Sequence, residues 1–439
     1  MAILYTQYFL YFSLMKEDFL HYVWRYKKFD IFSLVTTKNE AIELLSVGQH
    51  NTNSGPDFFN AKLRIDNQLW AGNVEIHINS SDWYLHNHEK DKAYDNVILH
   101  VVWNDDAEIF RKDNSTIPTL EIKDFVLPQT FNNYNELVSK NRKWINCENT
   151  ILEVDSFTLT NWLECLYFER LERKTNEIST LLKVSKNNWE EVLFKLMAKN
   201  FGLKLNGESF LSISNSIDFS IMRKLKNNRT RLEALFFGQA NLLNTEIQDS
   251  YYQELIIAYH FLSNKFNLEN QGVLPLQFFR LRPVNFPTIR LSQLAGLYYK
   301  NHNLFSLIIN VNSINEIYKI FNIKASEYWD THYTFGKASK KSTKKLSKAF
   351  IDLLIINTLI PLIFAYSKIQ GKNDDEKIIH LIQDIKSESN TIVKKFKDFK
   401  IISKSALESQ ALIQLKTEYC SKNKCLQCAI GSELLNRNM

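Results

Sequence analysis

The chain has 439 residues, 45% of them hydrophobic and 23% charged, with a formal net charge of +6 and an isoelectric point near 8.8. That places it in the ordinary soluble range, long enough for two or three domains with well-buried cores, and its mild basicity permits a polyanionic partner without demanding one. Five cysteines, an odd number with three bunched near the end, exclude a disulfide scaffold and point to metal binding in a reducing compartment, the cytoplasm by default.

Only 11 Gly and 7 Pro imply few tight turns and a large helical share. An abundance of Lys, Asn, Ile and Phe follows a low-GC coding bias and discounts the basicity. Residues 1–14 are apolar and aromatic, but lack a basic start and a small-residue cleavage site. They are also shorter than the roughly 20 residues of a membrane span. Met15-Lys16-Glu17 is an equally good start, so 1–14 reads as a start-site extension.

Residues 15–128 read as a small α/β unit. Phe19, Leu20, Val23 and Trp24 recur at helical spacing between Glu17 and Phe29. Strands are predicted at Ala41–Val47, Phe58–Ile65 and Leu69–Ile78, the last two joined by a tight turn at Asp66-Asn67. Asn96–Trp103 is apolar on both faces, as a covered central strand is, and Ile117–Ile122 adds a last strand.

Chemistry concentrates in this unit. Side chains on one strand face recur every second residue, so Val74, Ile76 and Ile78 share the core side of their strand, and Asn73, Glu75, His77 and Asn79 share the other. Asp57, just before the preceding strand, is placed beside Glu75. Two neighbouring carboxylates raise each other's pKa unless a cation lies between them. Hard oxygen ligands suit Mg²⁺ or Mn²⁺, which would polarise a phosphoryl oxygen and activate water, with His77 close by. His86-x-His88 and Asp91 form a rival set with zinc-ligand chemistry. His100, in an apolar strand, reads as a hydrogen-bonded core histidine, and Asp82-Trp83 as the cap of the intervening helix.

From 150 to 415 the pattern is helical. It is broken at Pro275–Arg290, where Arg280, Arg282 and Arg290 alternate with Phe278, Phe279 and Phe286 in the manner of a surface that grips phosphate and stacks bases. The same residues fit a packed core equally well. A second break, Lys337–Lys348, holds six lysines in twelve residues: a nucleic-acid contact or a solvated helix face. Phe350–Tyr366 is apolar but carries Asp352, Asn357 and Pro361, so a buried, kinked helix is expected in place of a membrane span. In the tail, 416–439, Cys420-x4-Cys425-x2-Cys428 supplies three of the four ligands of a zinc or iron–sulfur site, with Cys147 and Cys165 as candidates for the fourth.

Pro56-Asp57 with Glu75-Ile76-His77, on a helix–hairpin–strand unit, resembles the PD-(D/E)xK (restriction-endonuclease-like) nuclease superfamily. The resemblance implies divalent-metal phosphodiester hydrolysis, with His77 where Lys is usual and an acid on the first helix, Glu17 or else Glu43, completing the site. Longer phrases cover almost the whole chain: Gly55-Pro56-Asp57-Phe58-Phe59-Asn60-Ala61, Gly72-Asn73-Val74-Glu75-Ile76-His77, Ser81-Asp82-Trp83, Arg282-Pro283-Val284-Asn285-Phe286-Pro287 and Cys425-Leu426-Gln427-Cys428-Ala429-Ile430-Gly431. These resemble a bacterial family defined as domain of unknown function 2851, which implies no activity of its own. The expectation is an α+β protein, a nuclease-like N-terminal unit followed by a mainly helical region. The favoured activity is a Mg²⁺-dependent nuclease acting on DNA or RNA through Asp57, Glu75, His77 and Glu17. The alternatives are an inactive nuclease fold that binds nucleic acid or serves as a scaffold, and a zinc-dependent hydrolase using His86 and His88.

Overall fold

The computed structural model describes residues 16–138 and 143–437. The start-site extension expected at 1–14 lies outside them. The architecture is α+β, an N-terminal mixed sheet and a large helical region, and the chain divides into two units. The first comprises Met1–Trp162, Asp398–Ile401 and Leu415–Met439, so the cysteine-bearing tail groups with the sheet. The second comprises Leu163–Lys397 and Ile402–Gln414.

In the first unit, helix α1 (Glu17–Arg25) is followed by β1 (Ile42–Ser46), β2 (Gln49–His50), β3 (Phe58–Ile65) and β4 (Gln68–Asn79). After a short helix α2 (Asp82–Leu85) come β5 (Val97–Asn104), β6 (Thr119–Glu121) and helix α3 (Pro128–Val138). The sheet order is β1-β3-β4-β5-β6, with β2 pairing β3; β1, β3 and β4 run antiparallel, whereas β5 and β6 add in parallel. The β3–β4 hairpin closes through Asp66 (φ 46°) and Asn67 (φ 71°), two left-handed residues whose turn twist matches the strands. β5 is buried along nearly its whole length, as its double-sided apolar pattern predicts. The core under α1 is aromatic: Phe19 stacks on Tyr134 at 4.2 Å and Trp24 on Phe29 at 5.6 Å.

The second unit is helical, with a small strand pair at His332–Thr334 and Lys337–Ala338. Lysines 337–348 therefore form a hairpin strand and an extended stretch, and Lys344 is buried, its Nζ donating to the Asp330 carbonyl at 3.0 Å. Lys348–Ile369 is apolar and long enough to cross a membrane, yet 72% of its most apolar stretch is buried inside the protein. Its turn at Ile355–Leu359 is π-helical, just ahead of Pro361. Proline has no amide hydrogen to give the preceding turn, and widening that turn relieves the clash. Its polar residues are spent internally: Tyr318 Oη donates to Asp352 Oδ1 at 2.6 Å, and Arg170 to Asn357 Oδ1 at 3.0 Å.

Candidate metal centre

β4 sits between antiparallel β3 and parallel β5, and pairing sets Glu75 opposite His100 and His77 opposite Val102. In a parallel pair, partners share a face, so Glu75, His77 and His100 project to the same side. Register slips fall on both flanks of β4 just before Glu75, between Phe58 and Ala61 on one side and Asn73 and Val74 on the other. Bulges of this kind re-aim side chains at sites. Gly72 permits the close approach of β5, because a Cβ there would lie 2.4 Å from the Ile98 side chain and 2.7 Å from the Asn96 carbonyl.

The polar face of β4 is not solvated. Glu75 is 4% exposed and His77 1%, as deeply buried as the apolar residues behind them. Two segments distant in sequence cover it. Helix α1 brings Glu17 and His21, four residues apart and hence on one helix face. The segment after β4 brings Trp83, His86, His88 and Tyr94. Tyr94 stacks on His88 at 3.8 Å, and Trp83 stands edge-on to His88 and His100 at 5.4 and 5.7 Å.

The carboxyls and imidazoles converge here. Asp57 Oδ2 accepts the Ile76 amide at 3.0 Å and lies 3.2 Å from His21 Nε2, while the Asp57 amide donates to Glu75 Oε2 at 3.1 Å. The other carboxyl oxygen, Glu75 Oε1, lies 3.3 Å from His88 Nε2 and 3.6 Å from His77 Nε2. His77 Nε2 is 3.1 Å from His86 Nδ1, and one nitrogen from each of His77, His86 and His88 lies within 4.8 Å of the others. Behind them, His77 Nδ1 is 2.8 Å from Nε2 of fully buried His100.

This burial dictates the protonation states. Burial, then the Asp57 charge, pushes Glu75 up to about 9; the same two causes push Glu17 up to about 7. Burial, then His88 and His86, holds His77 down to about 3, and burial also lowers His88 and His100. Burial opposes charge on His21, but its bond to Asp57 prevails and raises it. Burial thus disfavours charge on His77, His88 and His100 and on the Glu75 and Glu17 carboxyls, leaving a donor set short of positive charge.

Two separate candidate sites in the sequence, the acidic pair and His86/His88, are one place. Asp91 is not part of it: its side chain turns to accept the Ala93 amide at 2.9 Å and caps a local turn. Glu75 stands in the carboxylate position beside the histidines. Glu43 is also elsewhere, exposed and paired with Arg64 at 2.8 Å, so Glu17 is the helix acid at the site. Asp82 opens α2 but accepts the Asn79 amide at 2.9 Å; Ser81 holds the N-cap position. Arg290, expected to grip substrate, is buried: it donates to Gln293 at 2.8 Å and Asn285 at 2.6 Å and lies 3.5 Å over the Phe350 ring. Arg280 and Arg282 are exposed, in the second unit.

Sequence reasoning missed His21, which its four-residue spacing from Glu17 would have flagged. It also missed Asn51. The Asn51 side chain donates to the carbonyls of Asn53 and Pro56, both at 3.1 Å, and of Ser54 at 3.2 Å, and so shapes the loop that delivers Asp57.

A family profile described as "Protein of unknown function (DUF2851)" matches residues 17–391, and the chain belongs to that family. No curated protein and no solved structure matches it.

Proposed function

We propose that this family member is a metal-dependent phosphodiesterase acting on nucleic acid, its ion held by His77, His86, His88 and Glu75 beside Asp57 and Glu17. The observation that carries the reading is the position of Glu75 Oε1, 3.3 Å from His88 Nε2 and 3.6 Å from His77 Nε2, on the strand next to Asp57. Three imidazole nitrogens with a carboxylate oxygen suit zinc, manganese or iron; magnesium, the ion expected for an acid-only site, prefers oxygen donors throughout. When bound, such an ion supplies Lewis-acid polarisation of a phosphoryl oxygen.

The protein's own residues would divide the remaining work. In the tautomer whose Nδ1–H points to His100 Nε2, 2.8 Å away, His77 would present its Nε2 lone pair to the ion. His21 holds Asp57 from α1. Glu17, raised to about 7, is matched to proton exchange near neutrality. A helix, three antiparallel strands, a short helix and a parallel strand, with Asp57 at the mouth of β3 and Glu75 on the neighbouring β4, also supports the PD-(D/E)xK resemblance. His77 then replaces the usual Lys as a ligand and not as a cation. The +6 net charge suits a polyanionic substrate, and free cysteines suit a cytoplasmic setting.

The test incubates the purified full chain with single- and double-stranded DNA and RNA, each with Mg²⁺, Mn²⁺, Zn²⁺ or EDTA. Cleavage that needs Mn²⁺ or Zn²⁺ and is lost in Asp57→Ala supports the reading. No metal-dependent cleavage, or full activity in Asp57→Ala, overturns it. Salt-sensitive binding without turnover would assign the chain to the nucleic-acid-binding alternative.

A further inference from the structure

Cys147, Cys420, Cys425 and Cys428 meet around one small cavity, whose walls also include Tyr419 and Gly431. The first sits in the loop after α3, and the other three in the tail. Cys165 lies outside this group, exposed on a helix. The backbone is shaped to bring the sulfurs together. Helix Ala429–Asn436 packs so closely on the Cys425–Gln427 turn that a Cβ at Gly431 would lie 2.1 Å from the Cys425 carbonyl. Only glycine allows that approach.

Polar and cationic groups stand beside the sulfurs. Asn146 Nδ2 donates to Cys425 Sγ at 3.3 Å. The amides of Ile430 and Gly431 face the Cys428 sulfur, and Lys416 and Lys143 lie near enough to Cys420 and Cys147 to favour their anions. Without a cation, burial and the neighbouring sulfurs keep the thiols protonated, Cys147 being pushed up to about 12 and Cys428 to about 11. Four buried or half-buried cysteines lining one cavity with amide donors beside them fit a ligand set better than core filler.

We propose that these four cysteines ligate a thiophilic metal centre, a zinc ion or an iron–sulfur cluster, that fastens the tail to the sheet-bearing unit, independently of the activity assigned to the histidine centre. Four cysteine thiolates suit either occupant, and metal and sulfide analysis tells them apart. The fastening reaches α1 and α3: Tyr22 Oη donates to Asn436 Oδ1 at 3.2 Å, and Asn133 Nδ2 donates to the Leu435 carbonyl at 3.0 Å.

The full chain, purified without oxygen, is assayed for iron, acid-labile sulfide and zinc, and for visible charge-transfer absorption that bleaches on reduction. The assay is run in a His86→Ala/His88→Ala background, so that metal at the histidine centre is not counted. Expected is bound zinc, or iron with acid-labile sulfide, that falls more than two-fold on adding Cys147→Ser and is unchanged on adding Cys165→Ser. Absence of zinc and iron from the background protein, or full metal with Cys147→Ser, would each overturn the proposal. If Cys147→Ser fails to fold, the metal content of the background protein together with Cys165→Ser still decides. Because the histidine ligands are removed, failure here is separable from failure of the nuclease reading.

Discussion

Asp57 and Glu75 are locked together through the backbone: the amide of Asp57 donates to Glu75 Oε2 at 3.1 Å, and Asp57 Oδ2 accepts the amide of Ile76 at 3.0 Å. Each acid thus holds the segment that carries the other, and charge and fold can be separated at this position. Asp57→Asn keeps an oxygen for the Ile76 amide while removing the charge. Its thermal midpoint is expected to stay near wild type while cleavage falls by about 100-fold or more. A variant that cleaves normally removes Asp57 from the chemistry.

His100 is the positioning residue for His77. Its Nε2 lies 2.8 Å from His77 Nδ1, whereas its own Nδ1 is buried without a protein partner. His100→Ala removes the group that orients the His77 ring but no ligand. Metal affinity, measured by competition with a chelator, is expected to weaken by about 10- to 100-fold, as for other outer partners of metal-bound imidazoles. Unchanged affinity would mean that the His77 ring is held by packing alone.

Asn51 acts through the loop. One amide group serves the carbonyls of residues 53, 54 and 56, and the Asn51 amide N–H also bonds the Asp57 carbonyl at 2.7 Å. Asn51→Ala should cost about 1–3 kcal/mol of stability, from hydrogen bonds worth about 1 kcal/mol each. Cleavage is expected to fall with metal content retained, since no ligand of the histidine centre is touched. Loss of metal in this variant would contradict that division of roles.

The arginines of the 275–290 segment separate in the same way. Arg280 and Arg282 are exposed, whereas Arg290 is buried and bonded to Gln293 and Asn285. Arg280→Ala/Arg282→Ala should leave the thermal midpoint alone and weaken nucleic-acid binding more at low salt than at high salt. Arg290→Ala should instead destabilise by about 2–3 kcal/mol, from its lost hydrogen bonds to Gln293 and Asn285 and its lost packing on Phe350, seen in urea unfolding. Equal effects of both variants on binding alone would restore Arg290 to the substrate surface.

What was legible in the chain was local. Asp66-Asn67 reads as a hairpin turn because two adjacent left-handed residues have a chemical signature. The alternation along 70–79 puts Glu75 and His77 on one face because strand geometry repeats every two residues. What covers that face was not legible. Glu17 and His21 reach it from a helix more than 50 residues earlier, and no pattern within β4 encodes their arrival. Glu43 stood second to Glu17 as the completing acid; its pairing with Arg64 at an exposed site depends on strand register, which no local pattern shows. Arg290 misled for a related reason, since a motif counts charges and cannot show that they are already spent. Cys147 and Cys165 were equivalent as fourth ligands until the chain was folded, and burial separates them.

Glu233 provides a pH test away from both proposed metal sites. It is 1% exposed, accepts from Ser292 Oγ and from Tyr251 Oη (the latter at 2.8 Å), and lies 3.6 Å from Arg229 Nε. Burial raises its pKa, and Arg229 with the hydroxyls only partly offsets this. Because the folded value lies above the unfolded one, the folded state binds the proton more tightly. The stability gained from that proton is fully present below the ordinary glutamate value of 4.5 and is lost as pH rises through the folded pKa. Glu233→Gln removes this dependence. Relative to wild type, its thermal midpoint should therefore become more favourable from pH 5 to pH 8, with Arg229 and the hydroxyls still able to reach the amide oxygen. A difference that moves the opposite way would show that Arg229 and the hydroxyls stabilise the anion more than burial penalises it.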